Sequence, residues 1–147
     1  MTSQMEMLEK SRRSTVDDCR TMDIRQYTDV RGDLSVIEGS SDIPFDIKRV
    51  YYLYNVPDAA RGAHAHKALH QLLVAVHGSV EVTVDDGSRQ RTFLLDNKNQ
   101  GLYVVPGLWR TLNHFTPDNV TLVLASEHYA PDDYIRDYAE FRQFKQE

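Results

Sequence analysis

The feature that most constrains the fold is a series of short apolar runs with period two, each closed by a turn signal. Gln71 to His77 reads as a strand, Gly78-Ser79 turns the chain, and Val80, Val82 and Val84 alternate along the next run. Asp85-Asp86-Gly87 follows with hairpin chemistry, since aspartate and glycine tolerate the positive φ angles of tight turns. Ile47 to Asn55 is β-branched and aromatic, placing Arg49, Tyr51 and Leu53 on one face and Val50, Tyr52 and Tyr54 on the other. Arg91–Leu95, Leu102–Val105, Arg110–Phe115 and Val120–Ala125 continue the series around a Pro106-Gly107 turn. Such a pattern predicts an all-β barrel or sandwich. A first strand is expected from Ile24 to Tyr27, then a turn at Asp29–Asp33, and a loop at Val56–Ala60. Tyr134, Tyr138 and Phe141 fall at helical spacing, which predicts one amphipathic helix over residues 131–144. Residues 1–22 hold no sustained period and read as a flexible tail or short helix, leaving 23–147 as a single domain.

The totals narrow the function classes. A chain of 147 residues can bury a core of its own. Its net charge of -5 argues against a nucleic-acid surface, which needs clustered positive charge. No apolar run approaches the ~18 residues of a membrane span, and the N-terminus lacks the apolar centre of a secretory signal. The single cysteine, Cys19, excludes an internal disulfide and suits a reducing compartment, so the expected location is the cytoplasm.

The chemistry concentrates in Arg61-Gly-Ala-His64-Ala-His66-Lys-Ala-Leu-His70-Gln71. Two histidines two residues apart on a strand project to the same face. On spacing alone they suit metal ligation or proton transfer. The series Gly62, His64, His66, Gln71, Gly78 resembles the first sequence motif of the cupins, and Gly101 to Arg110 around Pro106-Gly107 resembles the second. That resemblance implies a cupin-type antiparallel jelly-roll barrel, here with one C-terminal helix, and a site in the barrel mouth. It also implies a metal set of two histidines, a glutamate and a third histidine. This chain carries Gln71 and Arg110 at the last two positions, and a guanidinium repels a cation. No metal is therefore expected, and the histidines are assigned to acid–base work.

Arg49, Arg61 and Arg110 offer bidentate contacts to phosphate oxygens, and Trp109, Tyr51 and Tyr103 offer flat faces to a base or sugar ring. The ordered set Arg49-Val-Tyr-Tyr-Leu-Tyr, Arg61-Gly-Ala-His-Ala-His-Lys, Gln71-Leu-Leu-Val-Ala-Val-His-Gly-Ser, Gly101-Leu-Tyr-Val-Val-Pro-Gly-Leu-Trp-Arg and Asp133-Tyr-Ile-Arg-Asp-Tyr resembles the sugar 3,4-ketoisomerases over about residues 23–144. The resemblance implies a dTDP-linked 4-keto-6-deoxy sugar as substrate, no cofactor, and a homodimer in which the early strand from Ile24 can exchange between subunits. It implies proton transfer by His64 and His66 with Tyr51 assisting, the diphosphate on Arg61, and further substrate contacts from Arg49, Gln71, Arg110, Trp109, Tyr103 and Arg31. A nucleotide-sugar 3,5-epimerase and a non-catalytic sugar-binding protein are the competing readings. Tyr134 and Tyr138 are assigned to helix packing. His70 stands where the family pattern leads one to expect a glutamate or another polar residue, but alternation turns it away from Gln71.

Overall fold

The alternating runs pair into two antiparallel sheets rather than one continuous wall. The structure is a computed structural model that describes residues 3–57 and 60–147. Its elements are α1 (Gln4–Arg13), β1 (Arg20–Asp23), β2 (Arg25–Asp29), β3 (Gly32–Val36), β4 (Arg49–Tyr54), β5 (Arg61–His66), β6 (Gln71–His77), β7 (Val80–Asp85), β8 (Gln90–Leu95), β9 (Gln100–Val104), β10 (Trp109–Asn113), β11 (Val120–Ala125), β12 (Tyr134–Ile135) and α2 (Tyr138–Gln146). One sheet has the order β1-β9-β6-β11-β4 and the other β12-β5-β10-β7-β8, while β2 and β3 form a separate ribbon. In the expected loop at Val56–Ala60, Asp58 and Ala59 lie outside the described residues.

The two sheets overturn the expected closed jelly-roll barrel. Among the described residues, no ladder joins an edge of one sheet to an edge of the other. Alternation reports which face of a strand is buried, but not whether its edge finds a partner. The inner faces pack Leu73, Ala75, Val82, Val84, Leu102, Val104 and Val123 into one core. The outer face of the first sheet is covered as well, with Ile43 and Phe45 seated on Leu72, Val74 and Leu124. Burial on both faces explains why β6 is a continuous apolar run without alternation. Each fully buried leucine there contributes roughly 2 kcal/mol.

Among the described residues there are two α-helices where one was expected. The segment expected as a flexible tail or short helix carries α1, started by Ser3 Oγ accepting from Glu6 N–H at 3.1 Å, with Glu6 in the first turn and Lys10, Arg12 and Arg13 in the last. Its C-terminal end is held by Lys145 of α2, whose Nζ donates to Ser11 O (3.1 Å), Ser14 O (2.7 Å) and Gly107 O (2.9 Å). Gly107 has φ +87°, and any Cβ there would collide with the Ser11 carbonyl oxygen. Glycine is required at that contact.

The C-terminal helix is shorter than its spacing suggests. Pro131–Asp133 forms a 3-10 turn, Tyr134–Ile135 is a strand, and only then does Asp137 cap α2 by accepting from Glu140 N–H at 3.0 Å. The strand pairs with β5, Tyr134 opposite His66 and Ile135 opposite Ala65. Sheet pairing thus overrides the local helical period just beside the histidines.

Candidate active site

The cavity that carries the chemistry opens between the two sheets. Arg49 and Tyr51 come from β4, an edge of the first sheet; Arg61 to His64 come from β5 of the second; Tyr134 and Arg136 complete it. Its volume is about 480 Å³. Arg61 and His64 are three residues apart and would face opposite sides of a regular strand. In β5 the pairing with β10 shifts between Arg110↔His64 and Leu112↔Arg61, so β5 holds an extra residue there. Gly62, at φ +71°, takes up that bulge, and a Cβ would press to 3.2 Å from Leu112. The bulge turns both the arginine and the histidine toward the cavity.

The two histidines occupy different depths. His64 is half-buried at the cavity wall, whereas His66 is 0% exposed. Their Nε2 atoms are 3.0 Å apart, and the rings meet edge to face. Behind them, His66 Nδ1 lies 3.0 Å from Asp133 Oδ2. Tyr134 packs against both rings, at 5.0 Å from His64 and 4.4 Å from His66, and the Arg136 guanidinium lies 4.1 Å over the Tyr134 ring. Burial pushes His64 down to about 2, with Arg110, His66 and Arg136 adding to the depression. Burial also lowers His66, to about 4, less far because the Asp133 carboxylate favours its charged form. Both rings are therefore neutral near pH 7.

Beneath the cavity a polar chain links the sheets. Arg110 of β10 donates from Nη1 to Gln71 Oε1 at 2.5 Å and from Nη2 to Leu108 O at 3.2 Å. Gln71 in turn donates from Nε2 to the Tyr51 hydroxyl at 3.0 Å. Arg110 is 2% exposed, and burial lowers it to about 10. Burial raises the Tyr51 phenol. Arg49 lies over the Tyr51 ring at 5.4 Å, and its buried Nε has no partner, leaving a donor beside the cavity.

Of the residues assigned from sequence, the fold brings Arg49, Tyr51, Arg61 and His64 to the cavity, with His66, Gln71 and Arg110 directly behind or below them. Three lie elsewhere in this chain. Trp109 points the opposite way from Arg110 and packs on Tyr138 and Phe141 of α2. Tyr103 is buried on the far face of the first sheet, bonded through its hydroxyl to His70 Nδ1 at 2.7 Å and stacked near Phe45. Arg31 sits exposed in the β2–β3 turn, paired with Asp29 at 2.5 Å. Sequence reasoning missed Asp133 and Arg136 and set Tyr134 aside as packing. All three lie in the segment read as helical, and Pro131 followed by two aspartates itself reads as a helix start, so no local signal pointed to the strand. Among the described residues no three His, Cys, Asp or Glu side chains converge to hold a metal ion.

A neutral, buried histidine pair facing a cleft rimmed by arginines defines an acid–base enzyme for an anionic substrate. The comparisons with known proteins place it more closely. The profile of the family described as "FdtA: WxcM-like, C-terminal" matches residues 17–146. The chain is 42% identical over 126 residues to the TDP-4-oxo-6-deoxy-alpha-D-glucose-3,4-oxoisomerase of Aneurinibacillus thermoaerophilus, covering 85% of this chain and 91% of that protein. A 3,4-ketoisomerase from Helicobacter canadensis superposes with a TM-score of 0.86 at 40% identity, covering 88% of this chain and 98% of the other. A histidine-to-asparagine variant of the 3,4-ketoisomerase QdtA from Thermoanaerobacterium thermosaccharolyticum, solved with TDP-4-keto-6-deoxyglucose, gives 0.86 at 39% identity, covering 90% and 96%. The chain belongs to this family of sugar 3,4-ketoisomerases.

Proposed function

We propose that this dTDP-sugar 3,4-ketoisomerase converts dTDP-4-keto-6-deoxyglucose to the 3-keto-6-deoxyhexose through an enediolate, with His64 as the base at C3. The related QdtA structure holds TDP-4-keto-6-deoxyglucose, and the Aneurinibacillus relative is described by the same sugar. The observation that carries the assignment of the base is depth: His64 lines the cavity, while His66 is fully enclosed behind it. In the reaction His64 takes the C3 proton and the C–H electron pair becomes the C3=C4 double bond of the enediolate. C4 then receives a proton, O3 loses its hydrogen and becomes the carbonyl, and O4 gains one. Tyr51 is suited to pass the oxygen-bound proton, since Gln71 donates to its hydroxyl and leaves the phenol hydrogen free for the sugar. Arg61, Arg49 and Arg136 rim the same cavity and suit the diphosphate. Gln71 and Arg110 position Tyr51 from below. A metal has no role in this scheme, because the residues under the histidines are an amide and a guanidinium.

A homodimer with exchanged early strands fits the exposed apolar surface. The β2–β3 ribbon pairs with neither sheet and exposes Tyr27 and Leu34, and edge strand β4 exposes Val50 at 54%, Tyr52 at 61% and Tyr54 at 60%. Arg31 at the ribbon tip would then serve a neighbouring subunit's cavity. A cytoplasmic location is proposed from the single cysteine, Cys19, which is buried.

The test is NMR of dTDP-4-keto-6-deoxyglucose incubated with the protein in D2O. The wild type is expected to move the ketone from C4 to C3, and His64→Asn to abolish this while still binding dTDP. Deuterium entering C3 and C5 with the ketone unmoved would mean an epimerase, and binding without change would mean a sugar-binding protein; either result overturns the reading.

A further inference from the structure

We propose that Asp133 is the positioning residue that sets the tautomers of the histidine pair, making Nδ1 of His64 the basic atom offered to the sugar. The inference rests on the ketoisomerase reading above and goes one step deeper into the same site. It begins at the backbone. Ala68 N–H donates to Asp133 Oδ1 at 2.7 Å, and Lys67 N–H donates to the Asp133 carbonyl oxygen at 3.0 Å. The 3-10 turn and the start of the loop after β5 thus hold the carboxylate still, with its second oxygen 3.0 Å from His66 Nδ1.

Donor and acceptor arithmetic then runs through both rings. A carboxylate only accepts, so His66 Nδ1 carries the hydrogen. A neutral imidazole has one N–H, so His66 Nε2 is a bare lone pair. His64 Nε2, 3.0 Å away, must donate to it. That uses the single hydrogen of a neutral His64 and leaves its Nδ1 unprotonated, on the ring that lines the cavity. When Nδ1 takes the C3 proton, the Nε2 hydrogen of His64 can pass to His66 Nε2. The positive charge then rests against Asp133 and not beside the substrate, and the reverse shift returns a proton for C4. One C–H bond breaks, one N–H bond forms on each ring, and one N–H bond on His64 is lost. It is the carboxylate that dictates which nitrogen of His66 is protonated, and the buried Arg110 beneath disfavours an imidazolium.

Asp133→Asn tests this by changing hydrogens and little else. The asparagine oxygen can still accept from Ala68 N–H, which turns its NH2 toward His66 Nδ1. His66 must then carry its hydrogen on Nε2, His64 on Nδ1, and the base is blocked. The expected result is a fall in kcat of about 100-fold or more, of the size seen when a general base is disabled, with KM and dTDP affinity changed less than about threefold. In histidine-15N NMR the wild type should show His66 protonated at Nδ1 and His64 at Nε2, and the variant the opposite pair. A variant with kcat within about threefold of wild type, or a wild-type spectrum with His66 protonated at Nε2, overturns the proposal. The wild-type spectrum decides the tautomers even if the variant does not fold. Failure of the ketoisomerase reading is a separate event, seen as wild-type protein that leaves the ketone at C4.

Discussion

Replacing Gln71 with leucine should expose how much the buried chain from Arg110 to Tyr51 contributes. The leucine removes the acceptor of Arg110 Nη1 (2.5 Å) and the donor to the Tyr51 hydroxyl (3.0 Å). Arg110 is 2% exposed, so water cannot replace Gln71, and its Nε already lacks a partner. Leaving a buried charged donor without its acceptor costs about 3 kcal/mol, with the Leu108 carbonyl still accepting from Nη2. At about 2–4 °C per kcal/mol for a chain of this size, a loss of about 3 kcal/mol lowers Tm by roughly 6–12 °C. The double change Gln71→Leu with Arg110→Met should regain most of that, ending within about 1 kcal/mol of wild type, because both polar partners leave together. Urea unfolding followed by circular dichroism gives the four corners of the cycle, with unchanged m-values certifying the comparison. A single variant less than about 1 kcal/mol destabilised, or a double variant equal to the sum of the singles, would refute this account of Arg110.

Two further outcomes follow from groups outside that chain. His66 is depressed from 6.5 to about 4 and His64 further still, so between these pH values the unfolded chain binds protons that the folded one refuses; stability is full above about pH 6.5 and falls on acidification toward pH 4, with about 3 kcal/mol of the fall due to His66, and His66→Gln should reduce the slope of a urea titration series without abolishing it. Lys145→Met leaves the carbonyls of Ser11, Ser14 and Gly107 without their shared donor. It should cost about 2 kcal/mol and raise amide exchange in α1 before that of β5, as read by hydrogen–deuterium exchange.

The strands were legible in the sequence because their determinants are local. Gln71–His77 and Val120–Ala125 match the observed β6 and β11 end to end, and the alternation along β4 matches the alternating exposure of Arg49 to Tyr54. The histidine pair was legible for the same reason: residues 64 and 66 must share a face on any strand. Arg110 and Gln71 could be matched to motif positions, but their bond to one another spans 39 residues and joins two sheets.

What the sequence alone determined, then, is the all-β character, the positions of the longer strands from β4 to β11, the shared face of His64 and His66, and a residue set hostile to a metal. Each follows from side-chain type and a period of two. Only the tertiary structure decided that the sheets stay open along β4 and leave the cavity there, that Gly62 turns Arg61 inward, and that His66 sits behind His64. It also decided that Asp133 comes from beyond the last long strand to back the pair. Those outcomes depend on edge pairing, on a bulge and on contacts far apart along the chain. Local propensity points elsewhere at the decisive place, since residues 131–144 carry a helical period that pairing with β5 displaces.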